Sequence, residues 1–425
     1  MKIINKILEF MGHFLIYLSC YFNLPSLCAY IIRISIQKKK FLPKKIKSKK
    51  IVIVLDREIG HRDMEIIQKS SNKTLEFLFL RRSIIKLILS YFCKKKNFFF
   101  NYPKPSIYEE DYFNQNKNYR KKHEQFWTDI ILNLKRHYNN KTLNFITFNY
   151  TYYAEIALYV GCKKNNVPVK LWHKEGIKTA AEAEIEAKTR GVKFKQVFKY
   201  FTIISVYNKL IKKMFIKIDK SNKNKIIVSG CPRIEDYMIK KKYSRKIKTL
   251  LFLSFGTKRG IPSIRKNLNL NWNSTYNKVI KILNELSNKE DLKIILKTKS
   301  NSINQIPKNI NKKINVFTAG TSQKYINQAD IIIGHNSAST IEALVNGKFV
   351  MVPFFERKLT QKKYLYNFHK ELVYTSEKNM KKSILNLMNK KVSFPLNNKK
   401  HQKTIQYYLG NSKNTKQKYI NFLNK

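Results

Sequence analysis

Four short segments of this 425-residue chain set chemically useful side chains side by side. The sharpest runs from Ile331 to Ala343. Three isoleucines lead into Gly334, His335, Asn336, Ser337, Ala338, Ser339 and Thr340, with Glu342 close behind. An apolar run ending in glycine reads as a buried strand, and the hydroxyl residues after it read as a helix start. Free N–H groups and Ser/Thr hydroxyls at a helix start suit a phosphate. Glu342, within the first turns, can accept hydrogen bonds from ribose hydroxyls. The same pattern fits an ordinary Ser/Thr-capped helix with a glutamate on its surface.

The second segment is Gly230-Cys231-Pro232-Arg233, directly after the apolar Ile226–Ser229. Arg233 can clamp phosphate or carboxylate with two prongs, or pair locally with Glu235 or Asp236. The third is Ser254–Gly260, where Gly256 and Thr257 precede Lys258 and Arg259. Glycine lets backbone approach a ligand, but the spacing is not that of a Walker A loop. Lys297 ends the run Leu292–Lys297 in a similar position. The fourth is Leu171–Lys178, in which His173 and Glu175 follow a strand-like run. Either can take a proton from a hydroxyl, and histidine is poised for it near neutral pH. An isolated histidine is as readily a structural residue. No DxD pair presents itself, so the reading needs neither metal nor cofactor.

These residues stand where strand patterns stop. Apolar β-branched runs at Ile51–Leu55, Leu75–Leu80, Leu143–Phe148 and Val167–Trp172 alternate with helical stretches. A second series begins near Ile226, with runs at Leu250–Phe255, Leu292–Lys297, Ile314–Phe317, Asp330–Gly334 and Phe349–Pro353. Two successive runs of βα units predict an α/β protein with two mainly parallel sheets, ligands binding beyond their carboxyl ends. The expected divisions are an apolar and basic segment over 1–50, an amino-terminal domain over 51–225, a donor domain over 226–400 and a helix over 401–425.

The chain carries 85 Lys+Arg against 27 Asp+Glu, a formal net charge of +58. Lysine spread from Lys2 to Lys425 looks like a general bias more than a nucleic-acid patch, and no RNP, KH, zinc-finger or basic-zipper pattern is present. The exception is the dense run Lys38–Lys50 beside the uncharged stretch Phe14–Ile32. That pairing suggests peripheral or monotopic attachment to the inner, anionic face of the plasma membrane, with a cytoplasmic body. A spanning helix, a signal peptide and two core helices are the other readings of 14–32. Five widely spaced cysteines with no CxxC fit neither a disulfide framework nor a zinc site.

In combination, the segments resemble glycosyltransferases of the GT-B type, with two Rossmann-like domains and a cleft between them. The nearest groups are the surface and capsular polysaccharide transferases and the CDP-glycerol glycerophosphotransferases. Trp172-His173 matches a WHG-like motif, although Lys174 replaces its Gly. Gly230, Pro232 and Arg233 match a G-x-PR-x-D motif, with Glu235-Asp236 at the acidic position. Lys297-Thr298-Lys299 lacks the His and Pro of a K-x-HP motif, and Asn336–Thr340 resembles a Ser-rich loop before a helix. The likeness covers roughly residues 165–355.

It implies transfer of a sugar from a nucleotide donor to a surface polysaccharide or lipid-linked glycan. Gly256–Arg259 and Ser337–Thr340 would cradle the donor's phosphates, Arg233 or Lys297 would neutralise the leaving diphosphate, His335 and Asn336 would line the donor site, Glu342 would bind the ribose, and His173 or Glu175 would be the base. A CDP-glycerol-type polyol phosphotransferase and a nucleotide-sugar 2-epimerase-like enzyme are the alternatives. A basic, non-enzymatic RNA- or membrane-binding protein comes third.

Overall fold

The computed structural model describes residues 2–36, 50–56, 58–71, 74–92, 117–174, 176–234, 241–256, 272–298, 306–307, 309–356, 359–396, 399–410 and 414–425. Strands β1 (Lys50–Leu55), β2 (Leu75–Leu80), β3 (Thr142–Thr147), β4 (Val169–Trp172), β5 (Ile203–Val206) and β6 (Ile226–Val228) form one sheet. Its order is β2-β1-β3-β4-β5-β6, and every pairing is parallel. These strands read as mainly apolar runs, interrupted by Glu76, Asn144, Lys170 and Ser205, as expected where helices cover both faces. All six residues of β2 are buried, for example.

The second sheet joins β8 (Thr249–Leu253), β9 (Lys293–Lys297), β10 (Asn315–Phe317), β11 (Ile331–Ile333), β12 (Phe349–Pro353) and β13 (Val373–Tyr374). Its order is β10-β9-β8-β11-β12-β13, again all parallel. A separate antiparallel pair joins β7 (Tyr243–Lys246) to β14 (Lys391–Phe394). Two parallel six-stranded sheets fit two Rossmann-like domains, as the alternation predicts.

The division between the domains differs from the sequence reading. β6, which the charge and hydropathy pattern assigns to the second series, pairs with β5 and completes the first sheet. Its three residues are long enough to pair but carry no signal of which sheet they join. The carboxy-terminal tail also differs. It contains β14 and two helices, Lys399–Leu409 and Thr415–Asn424. The last helix returns to the first domain, where Tyr419 stacks on Trp172 at 4.2 Å and Phe422 and Leu423 join the core beside Val52 and Val54. The outgoing and returning segments are stitched where Cys231 N–H donates to the Leu409 carbonyl at 2.8 Å.

The amino-terminal apolar stretch folds as α1 (Lys2–Tyr21) and α2 (Pro25–Ser35), with Asn23 in the left-handed region between them at φ 53°. Ile16, Cys20, Cys28, Ile31 and Ile32 bury against the first domain. Among the described residues no helix is long and apolar enough to cross a membrane. Cys20, Cys28, Cys162 and Cys231 are buried free thiols, and Cys93 lies outside the described residues.

Candidate active site

In an open parallel sheet the ligand crevice forms where strand order reverses. In the second sheet that point lies between β8 and β11. The loops after these strands hold Gly256 and the stretch Gly334–Ser337, so the topology brings two sequence-nominated segments together. Ser337 caps the helix Ala338–Val345: its hydroxyl accepts from Thr340 N–H at 3.2 Å and lies 3.0 Å from the Thr340 hydroxyl. Gly334 is required for this close turn, since a Cβ there would stand 2.4 Å from Thr340 Oγ1. Among the described residues a Cβ on Gly256 would meet nothing within 4 Å, and the residue itself is half-buried.

Several nominated residues have structural occupations instead. His335 is buried, stacked on Phe255 at 4.6 Å and edge-on to Trp272 at 4.5 Å. Asn336 clamps the segment after β12: its Nδ2 donates to the Tyr364 carbonyl, and its Oδ1 accepts from Tyr366 N–H at 2.8 Å. Ser339 pairs with Ser322 at 2.8 Å. Lys297 Nζ donates to the carbonyls of Thr298 at 2.6 Å and Thr318 at 3.2 Å. These side chains shape the crevice from behind, and a ligand would have to displace their present partners. Thr257, Lys258, Arg259 and Glu175 lie outside the described residues.

The two domains meet through a buried set of charges. Arg233, just past β6, sets its Nε 2.7 Å from Asp63 Oδ1 and its Nη1 3.5 Å from Glu342 Oε1. Asp63 belongs to helix α3 (Glu58–Ser70) of the first domain; Glu342 belongs to the second. Asp63 also pairs with Lys174 and accepts from the Tyr207 hydroxyl at 2.9 Å. Burial pushes the Asp63 carboxyl up, but Arg233, Lys174 and the Tyr207 hydroxyl together hold it below the ordinary carboxylate range. Arg233 and Glu342 were nominated as donor residues, and the structure brings them together. It does not show the Arg233 pairing with Glu235 or Asp236, which lie outside the described residues.

His173 is 1% exposed, past the end of β4. Its ring faces Phe215 at 4.9 Å and Tyr150 at 6.0 Å. Its Nδ1 has no hydrogen-bond partner among the described residues. Burial, reinforced by Lys178, pulls its pKa down to about 3 against the opposing pull of Glu186. The ring is therefore neutral at pH 7, as a base must be, but it is enclosed and weakly basic. Lys178 and Glu186 form their own pair at 2.8 Å, and the Tyr150 hydroxyl donates to Glu186 at 2.9 Å.

Sequence reading missed Asp63 and Tyr207, which lie in helical and turn stretches with no local motif. It also missed a partly exposed pair at the switch point of the first sheet, between β1 and β3. There His61 Nε2 lies 2.5 Å from Asp56 Oδ1. The one available signal was Asp56 itself, a carboxylate ending an apolar strand. Between the domains a cavity of about 760 Å³ opens, lined by Thr179 from the first domain and by Phe354, Lys362, Tyr366 and Tyr408 from the second and its tail. Among the described residues no three His, Cys, Asp or Glu side chains gather as a metal site.

Comparison with known proteins decides the fold. A putative UDP-N-acetylglucosamine 2-epimerase from Listeria monocytogenes superposes with a TM-score of 0.50 at 12% identity, over 88% of this chain and 95% of that one. The chain has a GT-B-like fold. The UDP-GlcNAc 2-epimerase of Methanocaldococcus jannaschii gives 0.48 at 11% identity, over 88% of this chain and 100% of that one. The wall teichoic acid polymerase TagF gives 0.46 at 10% identity, over 99% and 97%. No protein-family model matches the sequence, and no curated protein matches it.

Proposed function

We propose that the chain is a glycosyltransferase, moving a sugar from a nucleotide-activated donor to a hydroxyl of a surface polysaccharide or lipid-linked glycan. The observation that carries this reading is Arg233. It stands at the junction of two Rossmann-like sheets, within reach of the carboxylate nominated for the donor's ribose. A guanidinium there neutralises a departing diphosphate, and the capped helix start after β11 offers further N–H groups. Glu342 accepts from the ribose, and Gly256 leaves room for the phosphates. The acceptor proton goes to His173 if the acceptor opens its aromatic enclosure, or to His61, which Asp56 orients and solvent reaches.

The test is a thermal-shift panel of nucleotide sugars and CDP-polyols, followed by turnover with and without acceptor. A ligand that binds the folded chain raises its melting temperature. A response to nucleotide sugars with acceptor-dependent turnover is expected. A response to CDP-polyols alone would make it a polyol phosphotransferase, and no response to either would end the reading. The enclosure of His173 favours a second reading, a 2-epimerase-like enzyme that needs no acceptor. Donor conversion without acceptor would establish it.

The same proposal puts the enzyme on an anionic membrane. Among the described residues, only Val192, Val316 and Phe317 are exposed large apolar side chains outside the stretch Phe10–Ile34. Phe10, Phe14, Phe22, Leu24, Tyr30 and Ile34 stand on the outer faces of α1 and α2 or on the turn between them, next in sequence to the basic run Lys38–Lys50. Apolar area beside lysines suits an interfacial helix pair on acidic lipid. Co-sedimentation with phosphatidylglycerol vesicles but not with pure phosphatidylcholine is expected. Equal recovery in the supernatant of both would remove the membrane from the proposal.

A further inference from the structure

We propose that Asp63 is a positioning residue: it aims the Arg233 guanidinium across the domain boundary and so fixes where Glu342 stands for the donor. This rests on the donor reading of Arg233 and Glu342. A buried Lys174–Asp63 pair would satisfy both charges without Arg233, yet Arg233 is drawn onto the same carboxylate. The Nε contact is an ion pair without hydrogen-bond alignment, but the guanidinium is a rigid planar fork, so charge attraction that holds Nε close to Oδ1 on one side limits where Nη1 can stand on the other. Here it points at Glu342, on a different sheet. The two carboxylates and two cations named here sum to zero net charge. Asp63 is fully buried, whereas the Arg233 side chain keeps 19% exposure, so the guanidinium is the member of the set that a ligand can reach. Tyr207, donating to the same Asp63 oxygen that Lys174 holds, leaves Oδ1 for the arginine.

Without the Asp63 charge, Arg233 falls onto Glu342 and competes with the ribose for that carboxylate. The consequence separates positioning from simple stability. Asp63→Asn and Lys174→Met break the same buried pair and should both lower the melting temperature. Only Asp63→Asn should weaken the nucleotide-sugar Kd and raise its KM, by tenfold or more, with a smaller change in kcat. Lys174→Met should stay within about threefold, because Arg233 keeps its anchor. Asp63→Glu should recover most of the donor affinity. Equal donor losses in Asp63→Asn and Lys174→Met would overturn the proposal. Should no nucleotide sugar bind the unaltered chain, the functional reading fails and the positioning claim is read on the ligand-free chain. There the melting-temperature shifts of Asp63→Asn and Glu342→Gln should be non-additive, and should become additive in an Arg233→Met background. Additivity with Arg233 present would overturn it.

Discussion

At the carboxyl end of the first sheet, Asp63, Lys174 and His173 are almost completely covered, by each other and by Tyr207, Tyr150 and Phe215. At the corresponding end of the second sheet, Gly256 is half-buried with no described atom where a Cβ would stand, and Ser337 caps a helix whose start is half-buried. Among the described residues the first of these strand-end surfaces is the more completely covered, and the donor site we propose lies at the second. The charges of the sealed side reach the open side through Arg233 alone among the described ion pairs. Under the function proposed, that asymmetry would let a chain with diffuse positive charge have a defined site, its cation distinguished by what holds it.

The sealed side should be the more fragile. Lys174→Ala leaves Asp63 with Arg233 and the Tyr207 hydroxyl, and a void where the ammonium was. Breaking a buried pair in this way costs about 3–5 kcal/mol. Urea unfolding should show the loss as a lower midpoint, and a loss below about 1 kcal/mol would mean that water already reaches the pair.

Acid probes the same side. The folded-state pKa of His173, about 3, lies below that of an unfolded histidine, and His123 is pulled down to about 3 by burial as well. Between about pH 6.5 and 3 the unfolded chain binds these protons and the folded chain does not. Stability is therefore lost as pH falls through this window, by up to about 1.4 kcal/mol per unit for each histidine. Asp63 acts lower: its folded-state pKa is depressed, so its contribution is complete above about pH 4 and disappears below. Melting temperatures should thus begin to drop near pH 6, and His173→Gln should flatten the slope by about half. A profile flat from pH 7 to 5 would show that these histidines are not sealed.

Glycine contrasts the two sides of the open crevice. Gly334→Ala drives a Cβ to 2.4 Å from Thr340 Oγ1 and should destabilise by about 1–3 kcal/mol. Gly256→Ala meets no described atom and should change stability by less than about 1 kcal/mol, while lowering donor affinity if the phosphates lie against that backbone. Reversed effects would move the ligand away from the β8 loop.

How much of this was legible depended on whether the signal was local. β2 and β12 were readable to the residue, because buried parallel strands are mostly apolar, β2 carrying only Glu76 as an exception. The Gly334–Ser337 turn was readable because strand end, glycine and cap are neighbours in sequence. β5, β7 and β14 were not: four-residue strands whose identity comes from their partners leave little periodicity. Asp63 was illegible for the same reason on a larger scale. It is an ordinary helical aspartate until Lys174 and Arg233, more than a hundred residues away, are folded around it. His335 and Asn336 were misread in the opposite direction. Their place in a motif suggested a ligand, but Phe255, Trp272 and the Tyr364–Tyr366 segment claim them first.

Ser337 offers the finest discrimination, because two roles converge on one hydroxyl. As a cap it accepts from Thr340 N–H, and Ser337→Ala should cost about 1 kcal/mol whether or not a donor binds. Glycine at a cap position loses only a few tenths of a kcal/mol. Ser337→Gly therefore keeps the helix start but removes the hydroxyl. If the hydroxyl serves the fold alone, Ser337→Gly should match the unaltered chain in both melting temperature and nucleotide-sugar affinity. If it also touches the donor's phosphate, melting stays near normal while Kd rises several-fold. The second outcome is expected, since the helix start is half-buried and opens towards the same side as Gly256. Unchanged affinity in Ser337→Gly would confine the donor's contacts to backbone N–H groups and Arg233, and would make the open side of the molecule less elaborate than its sealed side.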